Sequence, residues 1–151
     1  MPELEDLLGV AAEEVLETMF YTGIFGPGTE APDGPYLSAG VSFRGSRSGA
    51  LDVSAPQSTA TALAAAFLGE SVESVPAEQV PTVIGELANV LCGVVLGRVE
   101  EGGNFAIAPP RIARLDGPEL AEHYPGVRCV FEIEEGTLSV GLTIEAVPPH
   151  G

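Results

Sequence analysis

Lysine and tryptophan are absent from the 151-residue sequence, and its basic residues are six arginines set against 22 acidic side chains, for a formal net charge of −16. Such a field repels phosphate backbones and anionic membrane surfaces, so neither nucleic acid nor a membrane is expected as a partner. An acidic surface suits partners that present Lys or Arg, and it serves solubility equally well. Cysteine is scarce too. Cys92 and Cys129 lie far apart without CxxC spacing, both in apolar surroundings, which points to reduced thiols rather than a disulfide or a metal site. The two histidines, His123 and His150, stand alone in a loop and in the tail, so no metal set is expected. Nucleophilic catalysis lacks its parts: GxSxG is missing, Ser, Cys and His form no recognisable series, and no glycine-rich loop is followed by a lysine. No apolar run approaches the ~20 uncharged residues of a membrane span. The opening MPELEDLLGV is acidic where a signal peptide is basic, so a cytoplasmic location is the expectation.

What is present fits one domain over residues 1–151, with 45% hydrophobic residues to build a core. From Leu4 to Tyr21, Leu7, Leu8, Ala11, Ala12, Val15 and Met19 recur at helical spacing, with Glu5, Asp6, Glu13 and Glu17 largely elsewhere. Gly23 to Pro35 is so rich in Gly and Pro that it reads as loop throughout. Alternation at Leu37, Ala39, Val41 and Phe43, and again at Ala50 or Leu51 and Val53, predicts two strands joined by a short turn between Tyr36 and Ala55. The alanine-rich Ser58 to Gly69 predicts a helix with Gly69 just past its end. An acidic segment, Glu70 to Glu78, leads into a long helix over Val83 to Val99 with Pro81 in its first turn. Residues 100–104 read as a turn, and Phe105 to Ala108 begins an extended region broken by Pro109 and Pro110. Asp116 to Gly126 reads as loop, Val127 to Ala146 as two alternating strands around Glu135 and Gly136, and the last five residues as a frayed tail. This order predicts an α+β domain with helices covering one sheet face.

The long helix carries the chemistry. Val83, Ile84, Leu87, Leu91, Val94 and Val95 form one broad apolar face, while Thr82, Glu86, Asn89 and Gly93 fall together elsewhere at spacings of four, three and four. Gly93 and Gly97 each cost a helix roughly 1 kcal/mol relative to alanine, which is better explained by close approach of another backbone, from this chain or a partner, than by helix stability. A solvent-facing Glu and Asn need no function, and spacing alone does not separate that reading from a working site. A carboxylate and an amide on a rigid helix offer one specific service. The amide donates and accepts hydrogen bonds at once and so holds a water in line with a phosphorus atom, while the carboxylate pairs with a partner's cation. Neither changes protonation state, and the helix would complete an active site that already contains phosphate and metal.

Glu86 and Asn89 in GELANV, followed by Gly93, resemble the ExxN helix of the CheX branch of the CheC, CheX and FliY family of chemotaxis phosphatases. The similarity extends to EEVLETMF at 13–20, like the family's first helix, and to VSFRG leading into SGALDV at 41–53, like its opening hairpin. It runs from about Leu4 to Ala146. The resemblance implies an α+β fold, an antiparallel-rich β-sheet with two long pseudo-symmetric helices packed on one face. It also implies dephosphorylation of the aspartyl phosphate of a CheY-like response regulator. Asn89 would orient the attacking water, Glu86 would bind the regulator's lysine, and Thr82 and Gly93 would lie in the partner-binding surface. The chain would need no cofactor of its own, Mg²⁺ being expected on the phosphorylated receiver domain. The first helix offers Glu14 and Glu17 but no asparagine, so a single site is implied. Thr82 stands where the family often has Asp or Ser, and Pro109 or Pro110 only approximates a family proline about twenty residues after the asparagine. A homodimer joined through its sheets is implied as well, with the terminal strands as the joining edge.

A non-catalytic adaptor of the same fold, binding a response regulator or flagellar switch component, is the alternative, and a structural domain with an idle ExxN is the third reading. Substituting Asn89 discriminates them.

Overall fold

The structure, a computed structural model, describes residues 2–29, 34–100, 102–117 and 126–145. Within these, three α-helices, α1 (Pro2–Met19), α2 (Gln57–Leu68) and α3 (Gln79–Val99), accompany seven strands, and a short 3-10 turn, Val72–Ser74, precedes α3. The strands are β1 (Ile24–Pro27), β2 (Tyr36–Gly45), β3 (Ser48–Pro56), β4 (Phe105–Ile107), β5 (Arg111–Leu115), β6 (Val127–Ile133) and β7 (Gly136–Glu145). They form one antiparallel sheet in the order β1-β6-β7-β3-β2, with β4 and β5 both paired along the outer side of β2.

Period-two alternation builds the buried layer. Leu37, Ala39, Val41 and Phe43 on β2, Leu51 and Val53 on β3, and Leu138, Val140 and Leu142 on β7 all point to the helix side and are buried. The helices meet them with Leu8, Ala11, Ala12, Val15 and Leu16 of α1, Ala60, Leu63 and Ala64 of α2, and the inner face of α3. α3 is the central helix: it packs on α1, on α2, and on β2 and β3 beneath. The α2 end is set by Gly69, whose φ of 69° is left-handed. Its N–H donates to Ala66 O at 3.4 Å and the Glu70 N–H to Ala65 O at 3.0 Å, which satisfies two carbonyls the helix leaves open. Phe67 near that end packs against Phe20, just past the end of α1, at 5.3 Å between ring centroids with the rings tilted by 34°.

Two expectations need correction. The segment read as loop throughout contains β1, which pairs with β6 through a bulge between Ile24 and Gly26. An edge strand needs only one row of ladder bonds, so it tolerates the Gly and Pro that a central strand does not. The terminal strands are not the edge of the sheet either. β7 lies between β6 and β3, and β6 between β1 and β7; β1 pairs only with Phe131, Glu132 and Ile133 of β6, so the first residues of β6 keep an open side, and the outermost strands are β1 on one side and β4 and β5 on the other. By length and a mean hydropathy of 1.7, α3 also passes for a membrane span, although it carries Glu86 and Arg98 and buries its apolar face in the core. The loop expected over 116–126 and the frayed tail fall mostly outside the described residues.

On the sheet face away from the helices, Asp52 is held by Arg128. Nη2 donates to both carboxylate oxygens at 2.8 Å, and Nη1 donates to Ser139 Oγ at 2.7 Å. The positions facing Asp52 across its neighbouring strands are Gly40 and Gly141.

Candidate functional site

The rotation of α3 about its axis decides what it presents. Val80, Val83, Ile84, Gly85, Leu87, Ala88, Leu91, Cys92, Val95 and Leu96 are buried, and at about 100° per residue that leaves one outward strip. Thr82, Glu86 and Gly93 are exposed on it, Asn89 is half-buried, and Val94, expected on the apolar face, lies half-buried at its margin. At 1.5 Å rise per residue, Glu86 and Asn89 stand roughly 4.5 Å apart along the axis, on the same face. Among the described residues, neither the Glu86 carboxylate nor the Asn89 amide has a hydrogen-bond or ion-pair partner. The chain thus leaves an acceptor-only group and a donor-acceptor group free for an outside molecule.

The strip is open around its glycines. Gly93 and Gly97 have no atom within 4 Å of where a β-carbon would stand, so close approach by this chain's own backbone is not what those glycines serve. The tight glycine is Gly85, where a β-carbon would meet Pro110 Cγ at 3.1 Å and Ile112 Cδ1 at 3.4 Å. Pro110 belongs to the β4–β5 connection, which rests on α3 one residue before Glu86 and one turn before Asn89. The sequence marks Pro109 and Pro110 as strand breakers and as an approximate match to a family proline, and nothing in it ties either of them to Gly85. The available signal was a glycine in the middle of an apolar face, where any larger apolar residue would otherwise fit. On the opposite flank of the strip, a notch of about 350 Å³ opens between the end of α2 and the first turns of α3. Phe67, Leu68, Gln79, Thr82, Val83 and Glu86 line it.

α1 has no equivalent site. Glu14 and Glu17 are exposed, and Glu14 Oε2 is engaged by Arg98 Nη2 at 3.2 Å, a surface pair joining α1 to the last turn of α3. Among the described residues no group of three or more His, Cys, Asp and Glu is gathered as a metal set; His123 and His150 fall outside them. Both cysteines are free thiols. Burial pushes the Cys92 thiol up to about 12, and burial followed by the Glu5 carboxylate raises that of Cys129.

Residues 37–133, which include the whole strip on α3, match the family described as Chemotaxis phosphatase CheX. The chain belongs to the CheX family. No curated protein matches it. Among solved structures, the chain is similar to the chemotaxis protein CheX from Desulfovibrio desulfuricans, with 24% identity and a TM-score of 0.74 over 95% of this chain and 99% of that one. It is similar to CheX from Vibrio vulnificus at 20% identity and the same TM-score, over 95% and 97% of the two chains. A third similar structure is the CheX–CheY–BeF₃–Mg²⁺ complex from Borrelia burgdorferi, with 19% identity and a TM-score of 0.65 over 93% and 97%. At these identities the likeness establishes the fold: three helices on an antiparallel sheet, as in CheX.

Proposed function

We propose that this CheX-family chain dephosphorylates the aspartyl phosphate of a CheY-like receiver domain by laying the outer strip of α3 against the receiver's active site. The observation that carries this reading is the pair Glu86 and Asn89, on one outward strip of α3 and unpartnered by the described chain. A carboxylate that accepts only, next to an amide that donates and accepts, matches a site whose partner supplies a cation and whose reaction consumes a water.

The amide of Asn89 accepts from the water through its oxygen and fixes it opposite the bond to be broken. The water oxygen attacks phosphorus, the bond from phosphorus to the aspartate oxygen breaks with its electron pair going to the carboxylate, and the water's proton leaves with phosphate or solvent. Glu86 pairs with the receiver's lysine and so sets the docking register. Thr82 and Gly93 flank this pair as contact surface, the hydroxyl as a hydrogen-bonding group and the glycine by leaving space. Mg²⁺ belongs to the receiver, and this chain supplies no cofactor. Its contribution is positioning, for which a misplacement of about 1 Å costs on the order of 100-fold. The existence of a CheX–CheY complex among similar structures supports a receiver as partner, and a cytoplasmic location accords with such a partner.

The test is phosphate release from a phosphorylated receiver in Mg²⁺ buffer, with wild type and Asn89→Ala. Acceleration by wild type, lost by at least about 100-fold in the variant, is expected. Equal rates for the two proteins overturn the catalytic role of Asn89, and binding without acceleration by either establishes the adaptor.

A further inference from the structure

We infer that the notch beside Glu86 is the specificity pocket of this surface, taking one apolar side chain of the receiver domain that lies next to the lysine paired with Glu86. The inference rests on the docking proposed above. Glu86 is at once a wall of the notch and the acceptor for the cation, so a residue adjoining that cation meets the notch opening. Phe67, Leu68 and Val83 supply the interior, and Thr82, Gln79 and Glu86 the lip. An acidic side chain is repelled at the lip by Glu86. A buried cation finds no acceptor between two aliphatic groups and a phenyl ring. An apolar tip inside, with a cation left at the lip, is the arrangement that satisfies every group.

The notch is also held in shape. Phe67 packs on Phe20, the end of α2 is closed by the Gly69 turn, and Val83 is part of the buried face of α3. A preformed apolar pocket beside a charge is how interfaces divide their work: the pocket sets residence time, while the charge at its rim sets encounter and register. At about 350 Å³ it lies at the lower end of ligand-site volumes and opens to solvent, which suits one side chain.

Gln79 is exposed at the start of α3, so Gln79→Trp plugs the notch from its rim without entering the core. A CheY-type receiver from the same genome, activated with BeF₃⁻ and Mg²⁺, is titrated into wild type, Gln79→Trp and Asn89→Ala. Gln79→Trp is expected to weaken binding at least about tenfold, and Leu68→Ala, checked by thermal melting for an intact fold, to weaken it in the same direction. Asn89→Ala, which lies off the notch, is expected to bind within about twofold of wild type while losing phosphate release. Wild-type affinity in the Gln79→Trp protein overturns the specificity pocket and leaves the catalytic proposal standing. Failure of wild type to bind any activated receiver overturns both.

Discussion

Pro110 rests on Gly85, its Cγ 3.1 Å from the place a β-carbon would occupy. The β4–β5 connection therefore lies against α3 beside Asn89, and the contact exists only because position 85 has no side chain. A mid-helix alanine would gain roughly 1 kcal/mol of propensity, but an unyielding neighbour at this distance turns the added methyl into overpacking, which typically costs about 1–3 kcal/mol. The Pro109–Pro110 pair is stiff. Gly85→Ala is thus expected to lower the melting temperature, and Gly85→Ala/Pro110→Ala to recover part of the loss. A single variant as stable as wild type would show that the connection yields.

Charge substitutions separate the roles of α3 and α1. Glu86→Lys sets a cation against the receiver's lysine and should weaken docking far more than Glu86→Gln, with the melting temperature close to wild type because the side chain is exposed and unpartnered. Glu14→Gln removes only the exposed pair with Arg98, an interaction of about 0–1 kcal/mol, and should leave phosphate release unchanged. Receiver titrations with the three variants check this; a loss of activity in Glu14→Gln would place α1 in the site.

On the far face of the sheet, Arg128→Ala leaves Asp52 without its bidentate partner on a side chain that is 17% exposed, the guanidinium itself being fully buried. Breaking a buried pair in this way costs about 3–5 kcal/mol. Chemical denaturation should show that loss, and Arg128→Ala combined with Asp52→Ala should cost less than Arg128→Ala alone.

The missing lysines make alkaline unfolding unusually readable. The Cys92 thiol is raised from 9.0 to about 12 in the folded chain, so the unfolded chain loses its proton first. Its contribution to stability is fully present below pH 9.0 and is lost between there and about 12, with a slope of at most about 1.4 kcal/mol per pH unit. The pH dependence of wild type minus that of Cys92→Ala isolates this term, because the tyrosines are common to both. A flat difference across that window would mean that the thiol ionises alike in both states.

Local pattern was sufficient for most of the architecture. The α2 boundary at Gly69, the β2–β3 and β6–β7 hairpins, and the rotation of α3 that puts Thr82, Glu86 and Gly93 outside follow from spacing and turn chemistry, which act between residues a few positions apart. Glu86 and Asn89 could be singled out for the same reason. β1 leaves no local signal because its existence depends on β6, more than a hundred residues away, rather than on its own Gly- and Pro-rich sequence.

The sequence by itself determined which residues α3 turns outward, because one helix and its hydrophobic period suffice for that. Only the tertiary structure decided what flanks them: Pro110 against Gly85 on the Asn89 side, and Phe67 and Leu68 across the notch on the Glu86 side. It also decided that Gly93 and Gly97 face open space and that the terminal strands are interior to the sheet. The physical reason is range. Periodicity reports which face of an element is buried, whereas the identity of the neighbour is set by chain crossings and strand order, which leave no local mark on the residues they bring together.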